Sequence, residues 1–265
     1  MLSQAYFFLN ACVRHEVKTL SLKETKQPIV IDADIESSWD VCEWEPVPNV
    51  RFSRTSIVEP KDLEANFKGL WDSEYLYFLI KVEDDKRFVV YAESEIERVY
   101  DLRIRELDGI ELYFDNGLKE QKENTVSYFR LTYGADTISL QGRDITTVGS
   151  FSEIKSSYKE YDMGYIYECK IPWNSLGIHP SQDKSIRFEL NVIDNDGETI
   201  MPGALAKKRN IKTWADKTKT NPAWDNSIYG RLIFDKNYSV SPIGSFHFHC
   251  LMQIFSYAEN LIDRC

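Results

Sequence analysis

The chain has 265 residues, of which 43% are hydrophobic and 13% aromatic, enough apolar material to bury a substantial core in one all-β domain or two small ones. Its 42 Asp and Glu outnumber 32 Lys and Arg, giving a net charge of -10 at pH 7. That balance excludes the dense cationic surface that nucleic acid requires. No stretch approaches the roughly 18 consecutive apolar residues of a spanning helix, so the sequence shows no membrane span.

Residues 1–27 read as a polar, irregular extension. Within it, Tyr6-Phe7-Phe8-Leu9-Asn10-Ala11-Cys12 has the flavour of the end of a lipoprotein-type export signal, a small residue before a cysteine after apolar residues, without a basic leading region. The cysteines, Cys12, Cys42, Cys169, Cys250 and Cys265, are scattered without CxxC spacing and read as structural or surface thiols. The ordered domain spans 28–234. It opens with a short apolar strand, Pro28 to Ile35, ending in an acidic turn and followed by Trp39 and Trp44 as core plugs.

Two stretches then carry most of the information. In Leu70 to Phe78, the polar turn Asp72-Ser73-Glu74 separates two apolar and aromatic runs, which predicts a β-hairpin. In Asp108 to Asp115, a period of two puts Ile110, Leu112 and Phe114 on one face and Glu111 and Tyr113 on the other, exposed one. The same alternation at 126–133 separates Phe129, Leu131 and Tyr133 from Tyr128, Arg130 and Thr132. Further strands are expected at 137–141, 165–171, 186–193 and 229–234. Residues 90–107, dense in Glu and Arg, predict a short helical insertion. In 235–265, Leu251, Ile254, Phe255, Ala258, Leu261 and Ile262 fit one face of a C-terminal amphipathic helix. The fold expected is all-β, an antiparallel, jelly-roll-like β-sandwich with those two helical additions.

No GxSxG elbow, HExxH helix or phosphate-binding glycine loop is present. A glycoside hydrolase needs only two carboxylates, which leaves Glu111 with Glu168 or Glu189 as an alternative. Trp214 and Trp224 flank a polar loop before the last strand. Trp214 reads as a core or edge plug, and Trp224, after Asn221-Pro222-Ala223, as an exposed ring. An exposed indole beside Arg, Asn and Glu is the usual physical solution for a sugar, because the ring covers its C–H face and the polar groups take its hydroxyls. The acidic turns at Asp84-Asp85, Asp108 and Asp194-Asn195-Asp196-Gly197 would hold calcium only if they converge.

The ordered landmarks from 28 to 234 resemble carbohydrate-binding module family 9, the sugar-binding β-sandwich attached to xylanases. They are Pro28 to Asp34 with Trp39, Leu70-Trp71-Asp72 with Tyr75 to Tyr77, Asp108 to Asp115, Glu168 to Trp173, Asn191 to Asp194, and Trp214 to Gly230. Ala33 stands where the family usually has glycine. The resemblance implies a non-catalytic module supporting polysaccharide breakdown, with Trp224 as one wall of a sugar clamp and Asn221, Glu111 and Arg130 on the hydroxyls. Tyr128 shares the face of Arg130. The family's second tryptophan is replaced by Arg105, so Arg105 or Tyr100 would supply that wall. Asp84 and Asp108 would ligate a structural calcium ion. The resemblance further implies a secreted or cell-envelope setting, an oligo- or polysaccharide ligand and an association with a glycoside hydrolase. An interaction domain whose sugar site has decayed is the other alternative.

Overall fold

The structure is a computed structural model. It describes residues 17–53, 62–87, 108–117, 126–132, 138–140, 153–181, 183–196, 209–218, 220, 222 and 225–236. All of the elements below lie in the unit that ends at Asp235. The expected helices at 90–107 and in the tail, and the export-like segment at 6–12, fall outside the described residues.

Among the described residues thirteen strands follow in chain order: β1 (Thr19–Glu24), β2 (Glu45–Pro46), β3 (Asn49–Ser53), β4 (Leu63–Trp71), β5 (Tyr75–Asp84), β6 (Gly109–Asp115), β7 (Val126–Thr132), β8 (Ile138–Leu140), β9 (Lys155–Tyr161), β10 (Gly164–Pro172), β11 (Ser185–Asn195), β12 (Arg209–Thr213) and β13 (Gly230–Asp235). A one-turn helix, α1 (Trp173–Leu176), follows β10 and ends at Gly177 in the left-handed region, φ 64°. The hydrogen-bonded path runs β8-β7-β6-β11-β13-β1-β4-β5-β10-β9, with β12 beside β11 and β3 beside β12.

The predicted hairpin is β4–β5, closed at Asp72, whose Oδ1 accepts the amides of Glu74 and Tyr75 at 2.7 Å each. The sheet is not wholly antiparallel as expected, because β1 pairs in parallel with β13 and with β4. β1 also lies inside the stretch predicted to be irregular. Between those neighbours only Leu22 of this strand is buried, so its short alternation gives a weak signal.

The two arms of the path meet across one core. Phe78 of β5 stacks on Phe188 of β11 at 5.1 Å and 14°, and Phe67 of β4 meets Phe188 edge-on at 6.0 Å. Phe114 and Phe129 extend that cluster from β6 and β7, and Trp214 closes it at 5.5 Å from Phe188. A second, smaller core lies on the opposite face of β4 and β5, where Ile29 and Trp39 cover Leu70, Tyr77 and Leu79.

The opening strand predicted at 28–35 is absent. Ile29 and Ile31 pack on the second core from a non-strand segment instead. Glu168 of β10 holds that segment by accepting the amides of Asp32 and Ala33 (2.9 Å each) and Trp39 Nε1 (3.0 Å). Ala33 adopts the left-handed conformation, φ 63°, that an L-residue enters only at a cost. Trp39 is fully buried, whereas Trp44 is half-exposed over Lys68 Nζ at 5.1 Å.

Candidate functional site

Because Ile110, Leu112 and Phe114 turn into the core, Glu111, Tyr113 and Asp115 share the other face of β6. Register sets Arg130 of β7 and Asn191 of β11 on either side of Glu111, and continues the row to Thr213 of β12 and Asn49 of β3. Arg130 Nη1 donates to Glu111 Oε1 at 2.9 Å. Tyr113 Oη and Asn191 Nδ2 donate to Glu111 Oε2 at 2.8 and 3.0 Å.

This face is not exposed as expected: Glu111 is 4% exposed and Arg130 and Asn191 are 0%. A carboxylate and guanidinium so far from water persist only with direct pairing and filled lone pairs, which the cross-strand donors provide. Asn191 is the residue that sequence reasoning passed over as a mere landmark. Its Oδ1 is buried with no hydrogen-bond partner among the described residues. Period two was the available signal, since Glu189 and Asn191 alternate with the inward Phe188, Leu190 and Val192.

The chain on either side of position 224 is fastened to the same face. Asn226 Nδ2 donates to Asp115 Oδ2 at 3.0 Å, Arg187 Nη1 reaches the same oxygen at 3.2 Å, and Arg187 Nη2 donates to the Asn226 carbonyl. Tyr229 lies 6.2 Å from the Tyr113 ring and donates its hydroxyl to the Pro222 carbonyl at 2.8 Å. Trp224, Asn221, Tyr100 and Arg105, and the side chain of Tyr128, fall outside the described residues; the Tyr128 backbone pairs with Tyr113. Trp214 is fully buried, its Nε1 donating to Glu45 Oε1 at 2.8 Å.

The two carboxylates that could have completed a catalytic pair with Glu111 are committed to protein donors. Glu168 faces the second core. Glu189 accepts Thr213 Oγ1 and the amides of Trp214, Ala215 and Asp216 at 2.8 to 2.9 Å. Burial raises both carboxyls and their hydrogen bonds pull them back.

At the far end of β6 and β11 the acidic turns do converge. Carboxylate oxygens of Asp84, Asp108 and Asp194, all buried, lie within 4.8 Å of one another, as do those of Asp62, Asp85 and Asp196. Asn210 Nδ2 bridges the groups, donating to Asp62 and Asp194 Oδ2 at 2.9 Å each. Asp84 Oδ2 and Asp194 Oδ1 are buried without hydrogen-bond partners. Burial and neighbouring carboxylates push Asp84 up to about 7 and Asp194 up to about 8. Three hard oxygen ligands gathered in this way suit a cation such as calcium, which takes 6–8 oxygens.

Comparison with known proteins identifies relatives of the fold. The chain is 29% identical over 206 residues to the endo-1,4-beta-xylanase A of Thermoanaerobacterium saccharolyticum and 27% identical over 206 residues to that of Thermotoga maritima, matching 77% of this chain but only 15% and 16% of theirs. It thus spans about a sixth of the length of these relatives. Two solved structures of a carbohydrate binding module family 9 from Caldicellulosiruptor kristjanssonii, in complex with cellotriose and with glucose, share the fold. Their TM-scores are 0.61 and 0.60 at 19% identity, over 86% and 85% of this chain and 100% of each module. The family model described as carbohydrate family 9 binding domain-like matches residues 31–237, and the chain belongs to that family.

Proposed function

We propose that this chain is a non-catalytic carbohydrate-binding module whose site is the polar row on β7, β6 and β11. The observation that carries the reading is the buried Arg130–Glu111–Asn191 row, with both flanks of Trp224 fastened to its face. Trp224 stacks on the apolar face of a pyranose ring, while Glu111, Arg130, Asn191 and Asn221 meet its hydroxyls and Tyr128 lines the same face. The second wall falls to the guanidinium of Arg105 or the ring of Tyr100. The face-to-face arms form a β-sandwich of jelly-roll kind, braced by calcium on the Asp84, Asp108 and Asp194 triad.

The relatives are xylanases, so the ligand class is a xylan- or cellulose-type oligo- or polysaccharide and the setting is secreted or cell-envelope, beside a glycoside hydrolase. Among the described residues no helix is long and apolar enough to cross a membrane. Isothermal titration of the full chain with cellotriose, glucose and xylo-oligosaccharides is the test. Saturable heat is expected, with Trp224→Ala weakening binding by more than about 30-fold, the loss of ~2 kcal/mol of ring burial. No heat with any of these sugars at millimolar concentration overturns the reading.

A further inference from the structure

Glu189 is fully buried, and no lysine or arginine neutralises it among the ion pairs of the described residues. Its charge is met by a nest of three successive amides, Trp214, Ala215 and Asp216, at 2.8 to 2.9 Å, and by the Thr213 hydroxyl at 2.8 Å. The nest sits where the chain leaves β12. The side chain of Asp216 itself accepts the Thr218 amide and hydroxyl at Oδ1 at 2.6 Å each, just before the sequence segment that carries Asn221 and Trp224. The far end of that segment is held by Tyr229 on Pro222 and by Asn226 on Asp115. Glu189 and Asn191 are two residues apart on one face of β11, so the nest is built on the strand that supplies the polar row.

We infer that Glu189 is a positioning residue for the sugar site: its carboxylate sets the path of the turn that follows Thr213, the β12 partner of Asn191, and so fixes that edge of the polar row before ligand arrives. The inference rests on the sugar-binding reading above. A loop fixed by charge-assisted bonds in the free protein loses little further entropy on binding, which is the physical source of the affinity gained. Glutamine is the discriminating replacement, because its amide group turns two donors toward backbone N–H groups that are themselves donors.

The test compares Glu189→Gln with Glu168→Gln in the full chain, by titration with cellotriose and by amide hydrogen exchange. Glu168 performs the same chemistry, a buried carboxylate gathering two amides and an indole N–H, on the face away from the polar row. We expect Glu189→Gln to weaken cellotriose binding at least about 10-fold and to speed exchange of the Trp214 to Asp216 amides, while Glu168→Gln stays within about 2-fold of wild type. Affinity retained in Glu189→Gln, or lost equally in both variants, overturns the inference. If Glu189→Gln does not fold, Thr213→Val, which removes one donor to the carboxylate, decides: a loss of about 3-fold with faster 214–216 exchange supports the role, and unchanged binding overturns it. A wild-type chain that binds no sugar contradicts the function itself, a different result from a wild-type chain that binds and a Glu189→Gln chain that binds equally well.

Discussion

Glu111 and Glu168 occupy equivalent places in the two arms of the sheet, each buried on the face turned away from the shared core, and they are satisfied in opposite ways. Glu168 takes two backbone amides and the indole of Trp39, and the chain itself lies over it as the second core. Glu111 takes side-chain donors from Arg130, Tyr113 and Asn191, and beside it Asn191 Oδ1 is a buried acceptor with no hydrogen-bond partner among the described residues. On one arm an indole of the protein covers the carboxylate; on the other lies the proposed sugar site. Backbone donors under an apolar cover make a fastening, whereas cross-strand side-chain donors beside a buried acceptor are what the proposed recognition surface would use.

The largest effect that can break this contrast is Glu111→Ala. Removing the carboxylate from the buried Arg130 guanidinium should cost about 3–5 kcal/mol in denaturant unfolding and abolish sugar binding in titration. Glu168→Ala should cost about 2–3 kcal/mol through its lost hydrogen bonds yet leave affinity within about 2-fold, because the proposed sugar site lies on the other arm. If both substitutions weaken binding in proportion to stability, the distinction between the arms fails.

The proposed calcium triad sharpens the contrast at the end of β6. The folded-state carboxyls of Asp84 and Asp194 are raised to about 7 and about 8, so the chelated protein binds protons that the unfolded chain has released. Its stability is therefore fully present below the ordinary aspartate range, near pH 4, and falls as pH rises through 7 and 8. A thermal scan in chelator should lose more than about 5 °C between pH 5 and pH 8.5, and excess calcium should remove that slope. The smallest expected effect is Ala33→Gly, which relieves the left-handed strain in the Glu168 fastening and should raise unfolding stability by about 0.5–1 kcal/mol without changing affinity.

The hairpin and β6 were legible in sequence because each alternates apolar and polar residues against a single core. β9, Lys155-Ser156-Ser157-Tyr158-Lys159-Glu160-Tyr161, was missed because a terminal strand of the sheet path, partly wet along most of its length, keeps no such period. β1 was missed because its place is set by two parallel neighbours far along the chain. The 28–35 run misled in the other direction: its apolar residues are there to cover the second core, and Glu168 spends its hydrogen bonds on a bend rather than a ladder.

At the site, the alternation of Glu111 and Arg130 was readable, but their burial was not, since it depends on what neighbouring strands supply. Asn191 contacts Glu111 across 80 positions of sequence, a partnership visible only once the β6–β11 register is known. Asp84, Asp108 and Asp194 were each visible as turn carboxylates. Their convergence, and the second group of Asp62, Asp85 and Asp196, followed from topology.

Amide chemical-shift mapping of the full chain with cellotriose tests the central claim most directly. Saturable shifts are expected at Glu111, Tyr113, Arg130, Asn191 and the 222–226 segment, with Asp32, Ala33 and Trp39 unmoved. Absence of shifts at millimolar cellotriose, or shifts confined to the Glu168 and Trp39 face, would contradict it.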